Sequence, residues 1–107
     1  MKAPLTTRRI LIILRKEMPN LRQEYGVDRI AIYGSFAKGN HTKKSDVDIL
    51  VQLARPLGLK FVALANHLEK VLGAKVDLAT FDTLQRSLEN PRYKHIASDI
   101  RNRLLFV

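Results

Sequence analysis

Between Asp46 and Ala79 the chain reads as strand, helix, strand, and this order constrains the fold more than any other feature. Asp46-Val47-Asp48-Ile49-Leu50-Val51-Gln52-Leu53 is short, apolar and rich in β-branched residues, as a strand requires. After the loop Arg55-Pro56-Leu57-Gly58, the residues Phe61, Leu64, Ala65, Leu68, Val71 and Leu72 recur at helical spacing up to Gly73. Lys75-Val76-Asp77-Leu78-Ala79 is then another short strand. A helix between two strands favours a parallel crossover, so the two strands begin at the same end of a sheet.

The flanking segments complete an α/β pattern. A first helix capped by Thr6 or Thr7 places Ile10, Ile13 and Leu14 on one face. Pro19 is expected to break or kink it, leaving Asn20 to Tyr25 as a separate helical piece closed by Gly26. Arg29-Ile30-Ala31-Ile32-Tyr33 reads as a buried strand ended by Gly34, and the turn-rich stretch from Ser35 to Ser45, with one helical turn at Phe36-Ala37-Lys38, makes it an antiparallel neighbour of the Asp46 strand. Beyond Ala79, Asp82 or Thr83 is expected to cap a further helix, which Asn90-Pro91 interrupts. A last amphipathic segment sets Ile96, Ile100, Leu104 and Leu105 roughly on one face. The apolar Leu104-Leu105-Phe106-Val107 is expected either to fold back on the core or to form an interface. The expectation is one domain over residues 1–107 with a small mixed sheet of about three strands flanked by helices.

Composition excludes several classes. Hydrophobic residues make up 46% and charged residues 27% of 107 residues, ordinary values for a folded domain. The absence of cysteine rules out disulfides, thiolate metal sites and cysteine nucleophiles, so any metal must sit on oxygen or imidazole. The longest apolar runs, Ile10 to Leu14 and Phe61 to Ala65, are far shorter than the roughly 18 residues of a membrane span, and a cytoplasmic location is expected. The net charge is +9, but unevenly placed. Residues 1–44 hold ten basic and three acidic side chains, residues 45–83 four and five, and residues 84–107 five and two. The middle of a basic protein is therefore acidic, and Asp46, Asp48 and Asp77 lie there in strand-like sequence, where Asp is uncommon.

The strand order brings these residues together. The end of the first strand at Gly34, the start of the second at Asp46 and the start of the third at Asp77 converge on one end of the sheet. Asp46 and Asp48, two apart on a strand, face the same way, and three carboxylates share one open face. Like charges so placed repel unless cations neutralise them, and all-oxygen ligation suits Mg²⁺, as one or two ions. Gly34 lets backbone approach a ligand, and Ser35 adds a hydroxyl and N–H groups suited to phosphate. Metal ions beside a phosphate cradle suit in-line displacement at phosphorus. Lys38, Lys43 and Lys44 are candidates to clamp a triphosphate or to offset the carboxylates. His41 and His67 read as an exposed loop residue and a helix-surface residue, and Tyr33 as a residue packed at the strand end, within reach of a bound base.

Gly34-Ser35-Phe36-Ala37-Lys38-Gly39, six further residues, and Asp46-Val47-Asp48-Ile49-Leu50-Val51 together resemble the Gly-Ser, ten-residue spacer, Asp-x-Asp motif of the DNA polymerase β nucleotidyltransferase superfamily. The closer resemblance is to the minimal nucleotidyltransferases, MNT or MntA-like, small prokaryotic antitoxins paired with HEPN toxins. It extends through Tyr25-Gly26-Val27, Pro56-Leu57-Gly58-Leu59 and Leu72-Gly73-Ala74-Lys75-Val76-Asp77-Leu78. The resemblance implies a polymerase β-like fold with Asp46 and Asp48 holding two Mg²⁺ ions. Asp77 would help bind one metal and activate the attacking hydroxyl, and Gly34 and Ser35 would hold phosphates. It implies transfer of AMP from ATP to a tyrosine of a HEPN ribonuclease toxin, with release of pyrophosphate. His41, Lys43 and Lys44 stand where relatives are often more acidic, so nucleotide contacts there do not carry over. Two other readings stay open: a non-catalytic antitoxin acting by stoichiometric binding, and a nucleic-acid binder using the basic flanks.

Overall fold

The computed structural model describes residues 4–107. Helix α1 (Thr7–Tyr25) begins where the Thr6 hydroxyl accepts a hydrogen bond from the Arg9 amide, and it ends at Gly26, whose φ of +66° lets its N–H reach back to the carbonyls of Arg22 and Leu21. Pro19 lies inside this helix without ending it. The expected break does not occur: Pro19 is exposed, while Ile10, Leu14 and Leu21 keep one face of the whole helix buried.

Strand β1 (Val27–Tyr33) leads into the short helix α2 (Gly34–Lys38), and a turn held by Thr42 and Ser45 leads to β2 (Val47–Leu53). Helix α3 (Lys60–Leu72) crosses to β3 (Val76–Thr80). Helix α4 (Phe81–Glu89) follows at once, capped by the Thr80 hydroxyl rather than by Asp82 or Thr83. Asp82 sits in its first turn, where its charge suits the helix N-terminus. The Asn90-Pro91 interruption separates α4 from α5 (Lys94–Asn102), and β4 (Leu105–Phe106) closes the series.

The sheet has four strands, not three, in the order β3-β2-β1-β4. As expected, β1 and β2 are antiparallel and β2 and β3 parallel. The additional strand comes from the apolar Leu105-Phe106, which pairs antiparallel with β1, so this segment folds back on the sheet. Two residues are too few for a strand signal when read along the sequence. Alternation sorts the side chains into two layers. Ile30, Ile32, Val47, Ile49 and Val51 pack against Ile10, Leu14, Leu21, Leu64 and Leu68 of α1 and α3. On the opposite face Leu50 packs with Leu84 of α4 and Ala97 of α5. Ile96, expected on the buried face of its helix, is exposed, and Ala97 is buried instead. The second layer covers only part of its face, so one end of the sheet stays open.

Candidate active site

The open end is built by register. Asp48 on β2 lies directly across from Tyr33 on β1 and from Asp77 on β3. Asp46 precedes β2, and the Val47 amide bonds to the Lys75 carbonyl at 2.8 Å, which brings the start of β2 beside the start of β3. Since side chains alternate along a strand, Asp46 and Asp48 share a face while Val47 and Ile49 are buried in the larger core. Three carboxylates from two strands thus reach one end of one face, as their spacing requires.

Electrostatics couple them. The Asp48 carboxyl is pushed up from 3.8 to about 6, chiefly by burial, then by the charges of Asp77 and Asp46. The Tyr33 phenol is pushed up from 10.0 to about 12 by burial and by Asp77 and Asp48. The ion pairs among the described residues join Lys38 and Arg103 to Asp99, and His67 to Glu17; none reaches Asp46, Asp48 or Asp77. Among the described residues, no three His, Cys, Asp or Glu side chains are drawn together as ready-made metal ligands. The carboxylates form an open row rather than a closed cage, as mutual repulsion dictates. An all-oxygen donor set, unneutralised by these ion pairs and repelling internally, fits a hard divalent cation.

Gly34 sits against this row. Its φ is +72°, and a Cβ built there would collide with the Asp48 carboxylate oxygen and lie 3.1 Å from its Cγ. A side chain at position 34 would displace Asp48 as well as obstruct any ligand approaching the backbone. Ser35 follows in the first turn of α2, whose N-terminus has no side-chain cap. The Thr7 hydroxyl donates to the Phe36 carbonyl at 2.7 Å and so ties α2 to α1.

The three lysines fare differently. Lys38 is held by Asp99 of α5, with Nζ 3.4 Å from Oδ2. Lys43 and Lys44 are exposed in the turn before β2. His41 is half-buried rather than an exposed loop residue: its ring stacks on Phe36 at 4.2 Å between centroids, and its Nδ1 is buried without a hydrogen-bond partner. His67 is not a free surface residue either, because α1 brings Glu17 to within 2.6 Å of its Nε2. Spacing within one helix could not reveal that partner, which lies 50 residues away.

Two cavities flank the sheet. The larger, about 1090 Å³, opens at the far ends of β2 and β3 and is lined by Arg29, Arg55, Arg86, Arg101, Phe81 and Phe106 among others. It lies away from the carboxylates. The smaller, about 180 Å³, borders them through Tyr33.

This architecture has known counterparts. A protein adenylyltransferase, MntA, of Thermococcus cleftensis is 39% identical over 87 residues, covering 80% of this chain and 88% of its own. A Methanocaldococcus jannaschii protein, MJ0128, provisionally named a protein adenylyltransferase, is 41% identical over 96 residues, covering 89% of this chain and 91% of its own. A solved structure described provisionally as a minimal nucleotidyltransferase superposes with a TM-score of 0.69 at 25% identity, over 97% of this chain and 98% of that one. A toxin–antitoxin structure solved with AMP-PNP is 30% identical with a TM-score of 0.51, over 71% of this chain and 57% of that one. Residues 12–107 match the nucleotidyltransferase domain, and the chain belongs to that family.

Proposed function

We propose that this nucleotidyltransferase is an antitoxin that transfers AMP from ATP to a tyrosine of a HEPN ribonuclease toxin. The observation that carries this reading is the register of Asp48 with Asp77, with Asp46 two residues upstream on the same face and Gly34 packed against Asp48. Support comes from the relatives named protein adenylyltransferases and from the related toxin–antitoxin structure with AMP-PNP. Asp46, Asp48 and Asp77 would hold Mg²⁺, as two ions, whose chemistry is to offset phosphate charge and lower the basicity of bound oxygen. Gly34 and Ser35 would receive the phosphates through backbone N–H groups and the Ser35 hydroxyl.

In the transfer, the tyrosine oxygen forms a bond to the α-phosphorus, the bond from that phosphorus to the β-phosphate bridging oxygen breaks, and pyrophosphate leaves. Asp77 would take the phenolic proton. The strands and site occupy most of the chain, so a protein acceptor that brings its own surface fits better than tRNA or an antibiotic. The reading includes residues 1–107 acting as one domain in the cytoplasm. Co-expression with the neighbouring gene's product followed by mass spectrometry is the test. An AMP adduct on a tyrosine that disappears with Asp48→Asn is the expected result, and an unmodified but bound partner would replace transfer with stoichiometric capture.

A further inference from the structure

The carboxylate row leads directly into the smaller cavity. Two residues along from Asp48 and Asp77 on the same face stand Leu50 and Ala79, and these, with Leu84, Ala97 and Ile100, form an apolar slot of about 180 Å³. That volume suits one flat ring system and falls below the roughly 300 Å³ at which sites begin to enclose a whole drug-sized ligand. At its mouth Tyr93 is 48% and Ile96 66% exposed, apolar surface that no element among the described residues covers. Its polar groups are the phenols of Tyr33 and Tyr93, each able to donate or accept, and the Thr83 and Ser87 hydroxyls of α4. Ser87 Oγ donates its hydrogen to the Thr83 carbonyl at 3.0 Å, so toward the slot it offers only lone pairs. Thr83 Oγ1 is engaged with Thr80 Oγ1 at 3.1 Å.

Resting on the function proposed above, we infer that this slot receives the nucleobase and that Ser87 selects a base with an exocyclic amino group. Adenine N6 would donate to Ser87 Oγ, whereas guanine O6 in the same place would set lone pairs against lone pairs. A tyrosine ring from an acceptor protein has the right width but the wrong polarity. Its hydroxyl must point toward the phosphorus, leaving nothing to donate to Ser87. With phosphates at Gly34 and Ser35 and the base one strand step beyond Asp48, the nucleotide would lie across the ends of β1 and β2.

Calorimetric titration in the presence of Mg²⁺ with ATP, GTP and inorganic tripolyphosphate tests this, using wild type, Ser87→Ala and the paired rim change Tyr93→Ala with Ile96→Ala. Thermal unfolding first establishes that each variant is folded; the rim residues are exposed, so that variant survives even if Ser87→Ala does not. Wild type should prefer ATP to GTP. Ser87→Ala should weaken ATP about three- to tenfold and narrow the preference over GTP, as expected for one lost hydrogen bond. The rim change should weaken both nucleotides, and neither variant should alter tripolyphosphate binding. If wild type binds ATP and both variants bind it within twofold of wild type, the base lies elsewhere and this inference falls while the nucleotidyltransferase reading stands. Equal losses for ATP and tripolyphosphate would also overturn it, since the effect would not belong to the base. A wild type that binds neither ligand would remove the nucleotide site itself, and the base slot with it.

Discussion

Asp48 is the residue on which the site turns, because it is the one of the three carboxylates that is partly buried and has a charged neighbour on each side. Its folded pKa lies above the unfolded value, so the folded state binds the extra proton. Its contribution is least unfavourable below pH 4 and becomes a penalty as pH rises from 3.8 to about 6. Measured without divalent cation, wild-type melting temperature should therefore fall relative to Asp48→Asn across that interval, and added Mg²⁺ should shrink the difference. Parallel profiles would mean that burial and the neighbouring carboxylates do not raise the Asp48 carboxyl. Asp46→Asn or Asp48→Asn should leave the metal-free fold intact yet remove transfer almost completely, and activity within about tenfold of wild type for both would reject them as the metal-binding pair. The alternation of Asp46-Val47-Asp48 makes this row legible in sequence, because a period of two needs no tertiary information. Ser87 and the slot were not legible. Their meaning depends on where α4 and α5 land on the sheet, which no local spacing encodes. Likewise Lys38, which spacing alone offered to a triphosphate, is paired with an Asp 61 positions further along the chain.

At the level of elements, α3, whose apolar residues recur every three or four positions, is legible in sequence to within a residue or two, whereas α5 ends at Asn102, short of the Leu104 and Leu105 that the same spacing takes in. Sequence and structure part where a local rule competes with packing. Pro19 disfavours a helix interior by about 3 kcal/mol relative to Ala, yet the burial of Ile10, Leu14 and Leu21 along one continuous face outweighs it. Pro19→Ala should accordingly stabilise the protein, by about 1 to 3 kcal/mol in denaturant unfolding. A neutral or destabilising result would mean that the ring or a bend at this position has been accommodated by α1 and its neighbours. The cap of α4 shows the same competition on a smaller scale: Asp82, Thr83 and Thr80 are all able to cap, and β3 running on to Thr80 decides in favour of the last.

Over the whole molecule, the two ends of the strands differ in charge: three carboxylates gather at one, and four arginines, with Asp82, line the groove at the other. If basic residues guide the toxin, neutralising Arg8, Arg9 and Arg101 should slow association and flatten its dependence on salt while leaving ATP affinity unchanged. Stopped-flow association at two ionic strengths would measure this; an unchanged rate would assign the basic flanks another purpose. Arg103 is a poorer steering charge than its sequence position suggests, because its Nε lies 3.1 Å from Asp99, the same carboxylate that holds Lys38. The sequence discloses the charge imbalance but not these pairings, of which Lys38 with Asp99 joins α2 to α5.

The short β4 has a consequence for solubility. By pairing with Ala31 and Ile32, and through the Val107 amide bonded to the Ile30 carbonyl at 3.0 Å, it occupies the ladder groups that β1 would otherwise present to solvent. Without it, β1 would be an unpaired edge carrying Ile30-Ala31-Ile32, a flat apolar template for strands of other molecules. Deleting Leu105–Val107 should thus produce concentration-dependent aggregation, visible by light scattering, before any loss of helix content by circular dichroism. Monodisperse behaviour at high concentration would show that the charge of the chain protects the edge by itself. Three residues at the rim of the sheet would then act as a guard against self-templated assembly, a task separate from the chemistry at the sheet's other features.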